Sequence, residues 1–193
     1  MFHFGTVNDE QRLTERLRSG DNAAMRQFYA HYGDALAAVC ARYIANEEDA
    51  KDVFQDTLVN IFTHIGDFNY RGTGSLKAWT TKIAINQSLR FLKQKKHREL
   101  QLPADYPPEA PEPEADDPPI GNVPPDVIHQ MVTLLPTGYR TVLNLYVFEG
   151  LSHKEIAKLL DIEEKSSTSQ LCRAKNLLAK MILDYQNHKK PIR

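Results

Sequence analysis

Lys82, Asn86, Arg90 and Lys93 recur at steps of four, four and three, so a helix over this stretch carries all four on one side. Five of the nine residues from 90 to 98 are basic and none is acidic. Cations in such a row neutralise phosphates and give salt-dependent affinity for a nucleic acid, while Asn86 can hydrogen-bond a base. The preceding loop, GDFNYRGTGS, adds Phe68 and Tyr70, whose rings suit stacking on unpaired bases. The same row also satisfies a solvated face that ends a helix favourably, and each ring also fits a core position.

A second constellation lies in SHKEIAKLLDIEEKSSTSQLCRAK, residues 152–175. Ser152 and Glu155 have capping-box spacing, with Leu151 and Ile156 at the two staple positions around them. Ile156, Leu159 and Leu160 are expected to face inward, DIEE to turn, and Leu171, Ala174, Leu178 and Met181 to pack a second helix. This compactness fits a helix-turn-helix whose second helix enters a major groove, and equally a plain helical hairpin.

Other chemistry finds little support. There is no glycine-rich phosphate loop, nucleophile elbow, or histidine pair one helical turn apart with a glutamate between, so no enzyme is expected. Two cysteines, Cys40 and Cys172, and seven scattered histidines form no ligand spacing, which predicts no disulfide, metal or other cofactor. No apolar run of about 18 residues predicts stable membrane insertion, and MFHFGTVNDEQRL lacks a secretory leader, which favours the cytoplasm.

The elements that position these groups divide in two. Residues 101–125 hold nine of the eleven prolines and few bulky apolar groups, predicting an extended acidic spacer rather than packed structure. Net charge is +3 over residues 1–98, −8 over 99–126 and +4 over 127–193, so two basic blocks flank the spacer. The expected architecture is all-α: a helical domain over 1–99, a linker over 100–125, and a domain with the helix-turn-helix over 126–193.

In the first domain Leu13 and Leu17 open a helix. Met25, Phe28, Tyr32, Leu36, Val39 and Tyr43 form one buried face of the next. A third helix, about 47–65, turns Ala50, Val53, Phe54, Thr57, Leu58, Ile61 and Ile65 inward and leaves Asp52, Gln55 and Asp56 outside. Ser75 is expected to cap a fourth, running from Leu76 toward Lys96 with Trp79, Ile83, Leu89 and Leu92 inward and its basic row continuing into Lys95, Lys96 and Arg98. In the second domain Val142, Leu143, Tyr146 and Val147 form an apolar face closed by Gly150.

Together these blocks resemble the extracytoplasmic-function (ECF) sigma factors of the sigma-70 family, which keep only regions two and four. EEDAKDVFQDTLVNIFTHIGDF resembles the helix that grips core RNA polymerase, which implies that role for Asp52, Gln55, Asp56 and Phe62. FNYRGTGSLKAWTTKIAINQSLRFLKQKK is similar to the segment that melts the promoter −10 element, where Phe68, Tyr70, Arg71, Trp79, Lys82, Asn86, Arg90 and Lys93 are implied to meet DNA. LLPTGYRTVLNLYVFEGLSHKEIAKLLDIEEKSSTSQLCRAKNLL resembles the −35 reader. Ser166, Ser167, Thr168 and Gln170 then lie near the reading edge, with Lys165, Arg173 and Lys175 near phosphate; Gln170, where Arg is common, favours adenine over guanine if it meets a base. Glu163 and Lys165 depart from the usual Ser and Gly. The resemblance implies core RNA polymerase, promoter DNA and an anti-sigma protein as partners. A regulator that never engages polymerase and a helical protein-binding adaptor are the alternative readings.

Overall fold

The computed structural model describes residues 7–99 and 123–188, with the side chains of 7, 8, 96–99 and 188 left aside. The chain divides into two compact units, Met1–Gln101 and Leu102–Arg193. All regular structure among the described residues is helical, as expected.

The N-terminal unit comprises α1 (Val7–Arg18), α2 (Asn22–Tyr43), α3 (Glu47–His64), a 3₁₀ turn (Ile65–Asp67) and α4 (Ser75–Glu99). α1 stops at left-handed Gly20, where the Gly20 and Asp21 N–H groups return to the carbonyls of Leu17 and Arg16, a Schellman closure. Asp21 then caps α2, accepting from the Ala23 and Ala24 N–H groups, and Arg16 pairs with it at 2.8 Å. Asn46 caps α3 through Asp49 N–H, and the acids of the first turn suit the helix dipole.

α4 packs on both α2 and α3, and α1 lies along α2. Leu13, Phe28, Leu36, Cys40, Tyr43, Ile61, Leu76 and Ala84 fill the core between them. Hydroxyls inside it are satisfied within their own helices: Thr14, Thr57, Thr80 and Ser88 donate to carbonyls four residues back, at 2.7–2.9 Å. These small side chains therefore enter the core without leaving a polar group unmatched.

The C-terminal unit comprises α5 (Pro125–Leu134), α6 (Thr137–Val147), α7 (His153–Leu160) and α8 (Glu164–His188). Val123, Pro124 and Pro125, counted with the spacer on composition, belong instead to this unit: Pro125 opens α5, and Val123 is buried with Met131 and Ile182. Pro suits the first helical position because the N–H it lacks has no partner there. The remainder of the expected spacer, 100–122, lies outside the described residues. α8 is the common support, packing on α5, α6 and α7.

Arg140 is buried and holds the bend from α5 to α6, its Nη1 donating to the carbonyls of Thr133 and Leu135 at 2.8 and 3.0 Å. The capping box at Ser152 and Glu155 is complete in both directions. Asp161, at φ +55°, turns the chain out of α7, so the expected DIEE turn is one residue shorter and Glu164 already belongs to α8. Ile156 is fully buried as expected, but Leu159 is 46% exposed. An eight-residue helix has one narrow inward stripe, and Ile156 occupies it. Similarly, Val142 and Leu143 are buried, whereas Tyr146 and Val147 emerge where α6 runs past its neighbours.

Candidate functional surfaces

On α3, Asp52, Gln55 and Asp56 stand exposed along one side. Phe62 is half-buried, edge-on to Phe28 with ring centroids 5.5 Å apart, and thus ties that helix to α2. Val59 extends the exposed side and is 66% accessible, an apolar group among polar ones. It lies seven residues after Asp52, so helical spacing could have singled it out. Beside it an open cleft of ≈ 350 Å³ separates α3 from α4, with Asp56, Val59, His64, Gln87, Arg90 and Phe91 among its walls.

On α4, Lys82, Asn86, Arg90 and Lys93 are all exposed, forming the row that their spacing predicts. The row does not continue into Lys95, whose Nζ pairs with Asp49 of α3 at 2.9 Å and lies 5.9 Å from the Phe91 ring centre. The side chains of Lys96 and Arg98 lie outside the described residues. The inward side of α4 is Leu76, Thr80, Ala84, Ile85 and Ser88, while Trp79, Ile83, Leu89 and Leu92 are its half-buried shoulders.

The loop before α4 departs most from expectation. Phe68 is only 4% exposed and packs against Trp79, with ring centroids 5.1 Å apart, so it anchors the loop and cannot offer its face to a base in this conformation. Tyr70 remains half-buried, and Asn69, Arg71 and Thr73 are exposed beside it. Ser75 does not serve as the helix cap. Its hydroxyl accepts from Arg71 N–H at 3.2 Å, while the carboxylate of Glu10 in α1 accepts from Gly74 and Leu76 N–H groups, each at 2.7 Å. Sequence reasoning missed Glu10 because nothing local links residue 10 to residue 76.

In the C-terminal unit, Lys165, Thr168 and Lys175 are exposed on α8, and Ser166 is half-buried. Thr168 returns its hydroxyl proton to the Glu164 carbonyl. Ser167 is wholly buried and faces His153 of α7, so it belongs to the joint between the helices and not to an outer edge. Gln170 is half-buried: its Oε1 sits so close to Gly138 that a Cβ there would lie 2.8 Å away. Arg173 donates to Tyr139 Oη at 3.4 Å. Cys172, half-exposed between Thr168 and Lys175, was not singled out as part of this edge.

No group of three or more potential metal ligands occurs among the described residues, and no described helix is long and apolar enough to cross a membrane.

Comparison with known proteins gives these surfaces their context. The family model "Sigma-70 region 2" matches residues 28–98, and "Sigma-70, region 4" matches residues 126–178, together more than half of the chain. An RNA polymerase sigma-H factor from Pseudomonas aeruginosa is 26% identical over 190 residues, covering 92% of this chain and 95% of the relative. An ECF RNA polymerase sigma-E factor from Haemophilus influenzae is also 26% identical, over 90% of this chain and 95% of its own length. Among solved structures, CnrH in complex with the cytosolic domain of CnrY aligns with a TM-score of 0.47 at 25% identity, covering 91% of this chain and 97% of that one.

The chain belongs to the sigma-70 family of RNA polymerase sigma factors, in its ECF subfamily. It directs RNA polymerase to promoter DNA and is a non-catalytic initiation factor.

Proposed function

We propose that residues 1–99 engage core polymerase and open the −10 element, while residues 126–193 read the −35 element. Asp52, Gln55 and Asp56 form the polar part of the polymerase contact, with Val59 as its apolar part and Phe62 fixing the helix that carries them. The loop after Phe68 receives an unpaired base. Tyr70 provides a stacking face and Asn69, Arg71 and Thr73 provide hydrogen-bonding groups, while Trp79 holds Phe68 beneath them. Lys82, Asn86, Arg90 and Lys93 guide the strand by its phosphates. Unstacking a base costs a few kcal/mol, which these contacts must offset.

On the other unit, Lys165 and Lys175 contact phosphate, Arg173 supports them from its position on Tyr139, and Ser166, Thr168 and Gln170 meet base edges. Gln170 must leave Gly138 to do so. Ser167 positions α8 from within.

The observation that carries this reading is the exposed row on α4 from Lys82 to Lys93, which begins about two turns after the loop. Capture of core enzyme by Asp52→Ala, Gln55→Ala and Asp56→Ala variants, paired with run-off transcription on matched genomic promoters, tests it. Undiminished capture by the triple variant would remove α3 from the polymerase interface.

We further infer a cytoplasmic site of action, where polymerase and DNA reside, and an anti-sigma protein that holds the factor inactive, as the subfamily implies. Val59 on one unit, and Tyr146, Val147 and Phe148 on the other, each offer such a partner an exposed apolar group or patch. Co-purification of the intact chain from its host, followed by release of transcription when the bound protein is removed, tests this.

A further inference from the structure

α1 reaches the loop before α4 at both ends. At the loop's exit, Glu10 is 4% exposed and its two carboxylate oxygens each accept one backbone N–H, from Gly74 and Leu76, at 2.7 Å. At its entry, Arg18 of the same helix donates to the carbonyls of Ile65 and Phe68. Charge-assisted bonds of this kind are roughly twice as strong as neutral ones. A single rigid rod therefore sets the span across which the loop is strung.

Between the two anchors the chain is held in a shape that few residues adopt. Gly72 and Gly74 have φ of +119° and +88°, and Ser75 N–H closes on the Gly72 carbonyl at 3.1 Å. Asn69, Arg71 and Thr73 project from this stretch into solvent. Tyr32 of α2 is buried, and its hydroxyl is pushed up to about 12, first by burial and then by the charge of Glu10 and by Tyr70.

A helix start needs only a local cap, yet Ser75, the residue that the sequence offers for it, accepts from Arg71 N–H. The structure uses a distant carboxylate instead, and an arginine from the same helix at the opposite end. Such an arrangement does more than terminate α4: it fixes the loop before any ligand arrives, so that binding a base costs less ordering entropy. We infer that Glu10 and Arg18 are positioning residues for strand capture, bracing the −10 loop in the shape that receives an extruded base. This rests on the loop's proposed role in opening the −10 element.

The test uses the full chain with core polymerase on two templates, one fully paired and one with the −10 region pre-opened by mismatches. Glu10→Gln keeps the side chain's size but places an amide N–H against a backbone N–H, and Arg18→Met keeps the stem without the donors. Each variant should initiate about tenfold less than wild type on the paired template, the scale of one lost charge-assisted bond, and within about twofold of wild type on the pre-opened one. An equal loss on both templates, or no loss on either, overturns the brace. If Glu10→Gln lacks a cooperative thermal transition, Arg18→Met decides alone. Wild-type chain that failed on both templates would overturn the functional reading beneath the proposal.

Discussion

The Nδ1 of His153 lies 3.0 Å from the hydroxyl of Ser167, joining α7 to α8 across the helix-turn-helix, and the same imidazole stacks on Tyr146 at 4.9 Å. One polar bond at a fully buried serine therefore helps set how the proposed reading helix is carried. Ser167→Ala should lower stability by about 1 kcal/mol, the cost of losing the bond to the half-buried His153. It should leave the salt dependence of DNA binding unchanged. Thermal melting and affinity at two salt concentrations check both; a reduced salt slope would mean that Ser167 acts at the DNA surface after all.

Phosphate contacts behave in the opposite way. Lys165→Ala and Lys175→Ala should each lower the slope of log affinity against log salt by about 0.9 on a duplex carrying the −35 element, with little change in melting temperature. A titration series on wild type and each variant measures it, and an unchanged slope would place these lysines off the DNA.

Arg140→Leu removes two hydrogen bonds, one buried and one part-buried, to the carbonyls that end α5. Burial already lowers the pKa of this guanidinium, and the two carbonyls stabilise its presence there. Leucine should cost about 3 kcal/mol by leaving them without a donor. Denaturant unfolding of the intact chain, followed by a probe in the C-terminal unit, gives the number.

Glu155 contributes a pH dependence whose sign is fixed. Hydrogen bonds from the Ser152 hydroxyl and then its backbone N–H lower its pKa from 4.5. The stabilisation is thus present above 4.5 and is lost as pH falls through the lower folded value. Glu155→Gln should flatten the acid limb of stability of the C-terminal unit below about pH 4.5. Melting temperature measured across that window tests it, and identical limbs would deny the capping box any charge contribution.

The two thiols should separate cleanly. Burial pushes the Cys40 pKa up, against the hydrogen bond with Thr57, whereas Cys172 is half-exposed on α8. A thiol reagent should label Cys172 in the native chain and reach Cys40 only on unfolding, and −35 DNA should slow labelling of Cys172. Equal rates with and without DNA would move the reading edge away from that residue.

Periodicity made the helices legible because each buries a stripe repeating near 3.6 residues: the face from Phe28 to Tyr43, the Asp52 side of α3 and the Lys82 row all follow from it. Local chemistry likewise made the Ser152–Glu155 cap readable, since its partners are three residues apart. What escaped was long-range or marginal. Ser167 has a residue type suited to a surface, yet tertiary packing buries it against His153, and Phe68, whose ring fitted base stacking and a core position equally, is settled into the core by Trp79. Glu10 reads as an ordinary first-turn acid until α1 is placed beside residue 76. Leu159 and Val147 carry apolar side chains, yet the described residues of their unit leave them exposed.

The burial of Val123 has a mechanical consequence. It is the first described residue of the C-terminal unit, and it is packed with Met131 of α5 and Ile182 near the far end of α8. A pull along the chain from the N-terminal side is therefore borne by the bundle instead of peeling α5 away turn by turn. The load arrives on α8 beyond Lys165 and Lys175, so tugging between the units need not shift the proposed reading face.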